Sequence, residues 1–243
     1  MTPPALRARR HTLGQQHWIT RWSVRSREQA WAVALRPHHG RMDLLFVCTG
    51  NLCRSPLAER LLRSWAERDL GAAADRLRIA IAGTAAVAGP MDERSAQALR
   101  ELGGDPAGAS GRPVTPELSA GADLVLTMTR EQRRAVLQVD PRGLRRVFTL
   151  AEASGLLGLA DRTGLALLPP DERARELAAR LNGARAYRPG GPDDDIRDPI
   201  GQPLEAHREV AARIAEELRP LADVLLAPAR GPRLPRRPTP VGP

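Results

Sequence analysis

The sequence predicts a small doubly wound α/β fold, a four-stranded parallel sheet with helices on both faces, and three observations carry that expectation. Short apolar runs alternate with longer helical patterns, as in a parallel sheet flanked by helices. The first apolar run passes through a Gly-containing turn straight into a helical pattern, the arrangement that places a ligand at the end of a strand. The chain has 243 residues, 42% of them hydrophobic, enough for one substantial core and too few for two large domains.

Each element follows in order. Strands are expected at residues 43–48, 77–82, 123–128 and 145–150. Helices are expected at 55–70, 92–102, 130–138 and 204–226, the first opened by Ser55 and Pro56 at the N-cap and first-turn positions. Residues 151–192 are read as a lid or insertion: an apolar run from Leu156 to Leu168 is broken by Pro169-Pro170, and a helical pattern follows from Asp171 to Leu181. No internal repeat recurs at a fixed period.

Charge divides the chain into three. The formal net charge is +9, yet the eight Arg and single Glu of residues 1–41 carry +7 and the four Arg of residues 229–243 carry +4, leaving residues 42–228 at −2. A nucleic-acid partner would rest on the two ends alone, so none is expected. All 37 basic residues are Arg, which reads as a coding habit rather than a ligand site. Residues 1–41 also hold Trp18, Trp22 and Trp31 and four of the five His. They are read as a basic extension, disordered or from a misassigned start, because Met42 stands directly before the first strand pattern; a Trp-bearing helix at 17–35 touching a membrane or partner is the competing reading. Residues 229–243, rich in Pro and Arg, are read as a disordered tail, and residues 42–228 as the catalytic domain. With no run of roughly 20 apolar residues, no membrane span is expected and the chain is placed in the cytoplasm. Its two cysteines do not suggest a disulfide framework.

Both cysteines fall in Val47-Cys48-Thr49-Gly50-Asn51-Leu52-Cys53-Arg54-Ser55-Pro56, between the first strand and the first helix. A loop there can turn its backbone N–H groups around a dianion while the helix presents its positive end. Gly50 is expected to supply the sharp bend. Such a field favours the thiolate form of a cysteine, which makes Cys48 a candidate nucleophile. Arg54 can offer a planar fork to two phosphate oxygens. Ser55 and Asn51 are expected to hold the loop and the sulfur by hydrogen bonds. A Cys with Arg six places on is a weak signal in an Arg-rich chain; the ten-residue string in this position is a stronger one.

That string resembles the phosphate loop of the low-molecular-weight protein tyrosine phosphatases, and the resemblance, to a bacterial member, extends over about residues 42–226. It includes Ala82-Gly83-Thr84 after the second strand, Ala122 to Thr129 at the third, and Asp198-Pro199 before the last helix. It implies the phosphotyrosine protein phosphatase I-like fold and hydrolysis of phosphomonoesters, phosphotyrosine first, through a cysteinyl-phosphate. Cys48, Arg54 and Asp198 carry the chemistry, with Thr49, Gly50, Asn51, Leu52, Cys53 and Ser55 completing the phosphate loop. Asp198 matches the family's general acid, while Asp193, Asp194 and Asp195 are read as solvated charge. Cys53 is either a small buried packing residue or, as the resemblance implies, a redox partner that pairs reversibly with Cys48. Backbone donors and Arg54 carry the charge of the reaction, so neither metal nor cofactor is called for.

The aromatic residues that many relatives carry beside the cleft are replaced by Ile200-Gly201 and by Ala85-Ala86-Val87-Ala88-Gly89-Pro90, where Val87 and Ile200 could still pack on an aryl ring. The second-strand loop is more like the bacterial branch tied to polysaccharide export, which implies a phosphorylated protein substrate and a bacterial tyrosine kinase as candidate partner. The alternatives are an arsenate reductase of the same fold using an external thiol, and a phosphate-binding regulatory module.

Overall fold

A computed structural model describes residues 40–228. The expected extension and tail therefore lie outside the described residues, apart from Gly40 and Arg41. Four strands, β1 (Met42–Cys48), β2 (Leu77–Gly83), β3 (Leu124–Thr127) and β4 (Val147–Thr149), form one sheet in the order β2-β1-β3-β4. All three pairings are parallel, with Cys48 opposite Gly83 and Val47 opposite Thr127. The doubly wound parallel sheet read from the sequence is the one observed.

Among the described residues seven α-helices surround it: α1 (Arg54–Leu70), α2 (Glu93–Glu101), α3 (Pro116–Ala120), α4 (Arg130–Val139), α5 (Leu150–Leu157), α6 (Pro170–Ala184) and α7 (Leu204–Leu225). Side chains alternate across a strand, so β1 feeds two cores. Leu44 and Phe46 pack with Leu57, Leu61, Leu156, Leu177, Leu181 and Ile214 on one face. Leu45 and Val47 pack with Val125, Val136 and Val147 on the other. A strand buried on both faces reads as an unbroken apolar run, as Leu44-Leu45-Phe46-Val47 does.

Two of the ends that differ from expectation have a local cause. β4 stops at Thr149 because Thr149 and Glu152 form a reciprocal capping box, which commits Leu150 to α5. The N-cap of α1 is Cys53, which makes no side-chain cap, while Ser55 lies inside the first turn. That helix end keeps its amides free of any side-chain acceptor of its own.

The segment expected as a lid or insertion contributes a core layer. Leu156, Leu165, Leu177 and Leu181 are all buried in the cluster that holds Phe46. Arg173 of α6, 1% exposed, locks it to the end of α7. Its guanidinium donates to the carbonyls of Leu165 (3.1 Å), Ala166 (3.2 Å), Leu168 (3.0 Å) and Leu225 (3.0 Å), and to that of Ala227. No carboxylate pairs with it among the described residues; the oriented carbonyls at the end of a helix supply the negative potential. Replacing Arg173 with Met would strand these acceptors in the interior, and the expected loss is about 3 kcal/mol in denaturant unfolding. Arg173→Lys should recover only part of it, because an ammonium cannot reach five acceptors.

Candidate active site

The site is built on the turn from β1 to α1. The carbonyls of Cys48, Thr49, Gly50 and Leu52 accept hydrogen bonds from the amides of Thr84, Ala85, Val87 and Asp92, at 2.9–3.0 Å. Each of these acceptors is thereby turned outward, toward the chain that follows β2. In a trans peptide N–H points opposite to C=O, so the amides that follow are turned inward. Asn51 N donates to Cys48 Sγ at 3.2 Å.

This clasp needs close approach. A Cβ on Gly83 would lie 2.4 Å from the Thr49 carbonyl oxygen, so the second strand must end on glycine where it passes the loop. The sharp bend, in contrast, is not where expected. Gly50 has no positive φ; Asn51 takes the left-handed conformation at φ 59° and is the only non-glycine to do so among the described residues. Asparagine tolerates that region because its short polar side chain bonds locally. Asn51 Oδ1 accepts from Arg112 N at 3.0 Å, and Nδ2 donates to Ser55 Oγ at 2.7 Å. With its oxygen accepting that bond, the Ser55 hydroxyl proton is free to point to Cys48 Sγ, 3.0 Å away. Cys48 Sγ therefore receives two donors from its own loop and is 2% exposed.

Arg54, also 2% exposed, closes the ring. Nη1 donates to the Ile196 carbonyl at 3.0 Å, and Nη2 reaches Thr49 Oγ1 at 3.4 Å and the Asp198 carboxylate. Its Nε is buried with no hydrogen-bond partner among the described residues. An unpaired buried donor of this kind is costly unless the site exists to receive an acceptor. Asp198, with its side chain 38% exposed, faces the guanidinium from the loop before α7 and accepts from Ile200 N at 3.3 Å.

The structure thus gathers the sequence-predicted Cys48, Arg54 and Asp198 with Thr49, Asn51 and Ser55 around one point. Val87 and Ile200, 53% and 47% exposed, flank it, one bonded to the loop at Gly50 and the other beside Asp198. Cys53 lies in the same turn and is 4% exposed. Burial first, then the charges of Asp92, Asp198 and Cys48, push its thiol up to about 12 against the effect of a hydrogen bond with Ser95.

Two carboxylates read as solvated charge are anchors instead. Asp194, 2% exposed, binds Arg188 Nη2 at 2.6 Å and Gly191 N at 3.0 Å. Asp195 binds Arg130 through Nη2 at 2.9 Å and through the backbone amide at 2.7 Å. Burial would raise the Asp195 carboxyl, but Arg130 outweighs it and holds it below the usual carboxylate range. Together they fix the chain that presents Asp198. A partner missed in the sequence is Gln132, whose Nε2 donates to Thr49 Oγ1 at 2.9 Å while its Oε1 accepts from Met128 N and Thr129 N. The Thr129-x-x-Gln132 capping box is the signal that could have found it.

A parallel sheet whose first strand ends in an amide-lined Cys–Arg turn defines an α/β protein built to hold a tetrahedral oxyanion. Comparison with known proteins gives the family: the description "Low molecular weight phosphotyrosine protein phosphatase" fits residues 43–157. The protein-arginine-phosphatase of Bacillus subtilis is 36% identical over 113 residues, 46% of this chain and 71% of that protein. The low molecular weight protein-tyrosine-phosphatase Etp of Escherichia coli is 36% identical over 109 residues, 44% of this chain and 68% of that protein. A solved structure of the YwlE arginine phosphatase, a mutant with a phosphorylated active-site serine, superposes with a TM-score of 0.54 at 29% identity, covering 76% of this chain and 95% of that one. This chain belongs to the low molecular weight phosphotyrosine protein phosphatase family and is an enzyme of that class. The relatives favour phosphatase chemistry over arsenate reduction or a binding-only module.

Removing the Gln132 amide frees Thr49 and the Arg54 fork behind it. Gln132→Ala is expected to lower kcat for p-nitrophenyl phosphate about tenfold, a barrier change of about 1.4 kcal/mol. Asn51→Ala, which loses both the bend and the link to Ser55, should lower it further, and both effects are read from steady-state kinetics on folded protein.

Proposed function

We propose that the chain hydrolyses phosphotyrosine in proteins, with Cys48 as nucleophile, Arg54 as phosphate clamp and Asp198 as general acid, and that Thr49 to Cys53 and Ser55 complete the phosphate loop. The observation that carries this reading is the outward turn of the loop carbonyls, which turns the following amides inward, with Asn51 N donating to Cys48 Sγ. The unpaired Arg54 Nε adds a charge-assisted donor to the same ring.

In this mechanism the phosphate seats among the amides, and its oxygens compete with Asp198 for the Arg54 guanidinium. Cys48 Sγ attacks phosphorus in line, the bond from phosphorus to the tyrosyl oxygen breaks, and Asp198 gives its proton to that oxygen. Asp198 then takes a proton from water as the water oxygen attacks phosphorus, and the Cys48 thiolate leaves with inorganic phosphate released. The phosphorylated active-site serine of the YwlE mutant supports a covalent route. Ser55 stabilises the thiolate both before attack and on departure.

Substrate choice rests on the mouth. Val87 and Ile200 offer apolar surface to an aryl ring, and both are exposed where that ring would lie. Phosphoarginine is the second reading, because the B. subtilis relative is a protein-arginine-phosphatase. The partners are phosphorylated proteins, a bacterial tyrosine kinase among them. The catalytic domain spans residues 42–228, and the free cysteines suit the cytoplasm. No described helix is long and apolar enough to cross a membrane. The redox role of Cys53 belongs to the same proposal: a peroxide oxidises Cys48 to a sulfenic acid, and the Cys53 thiol, at about 12, must lose its proton to attack that sulfur and expel hydroxide as the disulfide forms.

Cys48→Ser should abolish turnover. Asp198→Asn should lower kcat about 10²-fold or more for phenyl phosphate and less for p-nitrophenyl phosphate, whose better leaving group needs the proton less. Equal losses for the two esters would remove Asp198 as the acid. Peptides carrying phosphotyrosine or phosphoarginine settle the substrate: kcat/KM is expected to favour phosphotyrosine at least about tenfold, and the reverse order would assign arginine.

A further inference from the structure

Behind the phosphate loop lies a second cluster, whose side chains the phosphatase reaction does not use. It is made where three helices begin. Cys53 is the N-cap of α1, Asp92 is the N-cap of α2, and His207 sits in the first turn of α7. One donor atom from each, thiol sulfur, carboxylate oxygen and imidazole nitrogen, lies within 4.8 Å of the other two. His207 Nδ1 is 3.5 Å from Asp92 Oδ1 and 2.7 Å from Ser95 Oγ.

Three features set this group apart from ordinary packing. His207 is 1% exposed and turns Nδ1 to Asp92 and Ser95, while Nε2, on the other side of the ring, has no hydrogen-bond partner among the described residues, so the ring is only half satisfied by the interior. Asp92 Oδ1 accepts the amides of Arg94 and Ser95, both at 3.1 Å, which fixes the carboxylate facing His207 Nδ1. Cys53 is 4% exposed and keeps its sulfur within 4.8 Å of the Asp92 carboxylate and the His207 ring. Thiolate, imidazole and carboxylate together form a borderline donor set suited to zinc, not to magnesium or calcium.

We propose that Cys53, Asp92 and His207 form a zinc-binding site behind the phosphate loop. Tetrahedral zinc, with donors at about 2.0–2.3 Å, places its ligands roughly 3.3–3.6 Å apart, so His207 Nδ1 and Asp92 Oδ1, 3.5 Å apart, already stand at ligand spacing once the Ser95 hydroxyl gives up Nδ1, and Cys53, within 4.8 Å, has a short distance to close. On binding, the Cys53 S–H bond breaks, its proton leaves to solvent, and a Zn–S bond forms. Two anionic ligands then balance the divalent charge in a buried place. Asp92, its side chain 22% exposed, is the open side through which the ion enters and a water can complete the coordination. Cys53 directly precedes Arg54, so the metal ties the root of the phosphate clamp to α2 and α7 and withholds the Cys53 sulfur from Cys48.

Cobalt(II) titration of the chelator-treated full-length chain tests this, since a cobalt–thiolate bond gives a charge-transfer band in the near ultraviolet. One equivalent is expected to bind, zinc should displace it, and Cys48→Ser should keep the band while Cys53→Ser loses it. Asp92→Asn preserves a good N-cap for α2 but removes the anion, and should weaken cobalt binding about tenfold or more. His207→Gln should do the same, and circular dichroism and the melting temperature identify any variant that has not folded; should His207→Gln be one, Cys53→Ser and Asp92→Asn decide. Absence of the band in the unmodified chain overturns the proposal. So does a band that survives in Cys53→Ser and disappears in Cys48→Ser, which would put the metal on the proposed nucleophile.

Discussion

The structure depends on one constraint: four carbonyls of the turn after β1 are claimed from outside by the chain that follows β2. A short loop at the end of a strand would otherwise show the solvent a mixture of donors and acceptors. Binding the acceptors to Thr84, Ala85, Val87 and Asp92 sorts them, so that one side of the loop carries donors. Affinity for a dianion follows from that sorting before any side chain is considered. It also explains why β1 and β2 must be in register to their last residue, Cys48 opposite Gly83, and why that last residue of β2 is glycine.

Side chains then add what the backbone cannot. Asn51 takes the strained φ and spans from Arg112 to Ser55, so a single residue sets the bend and orients the hydroxyl on Cys48. Gln132 reaches from α4, on the opposite face of the sheet from α1, to hold Thr49. Asp195 and Asp194 pin the loop that brings Asp198 to Arg54. The site is assembled from five separate stretches of chain, and the sheet order β2-β1-β3-β4 brings them to one end.

The fold was legible because β1 and α1 are strongly patterned and because a buried parallel strand leaves an unbroken apolar run. The catalytic trio was legible because the loop is contiguous: Cys48 and Arg54 announce each other across six residues, and Asp198-Pro199 is placed by resemblance. What escaped the sequence depends on contacts over long separations. Asp195 looks like one charge among several until Arg130 is seen beside it, 65 residues away. Arg173 looks like any arginine of an Arg-rich chain; only packing shows that it serves carbonyls and no acid. The bend falls on Asn51 and not on Gly50 beside it, a choice that sequence pattern cannot make because glycine and asparagine both tolerate the left-handed region.

The same comparison explains how two cysteines five residues apart come to differ. Cys48 ends a strand, so its sulfur sits among inward amides and receives donors from Asn51 and Ser55. Cys53 caps a helix with its carbonyl but not with its side chain, and its sulfur lies among Asp92, Ser95 and His207, where burial and a carboxylate keep the proton on. One environment is organised to stabilise negative charge on sulfur; the other resists it unless a cation arrives. Reactivity in this loop is therefore set by which neighbours each thiol meets across the fold, since the helix field that both share cannot tell them apart.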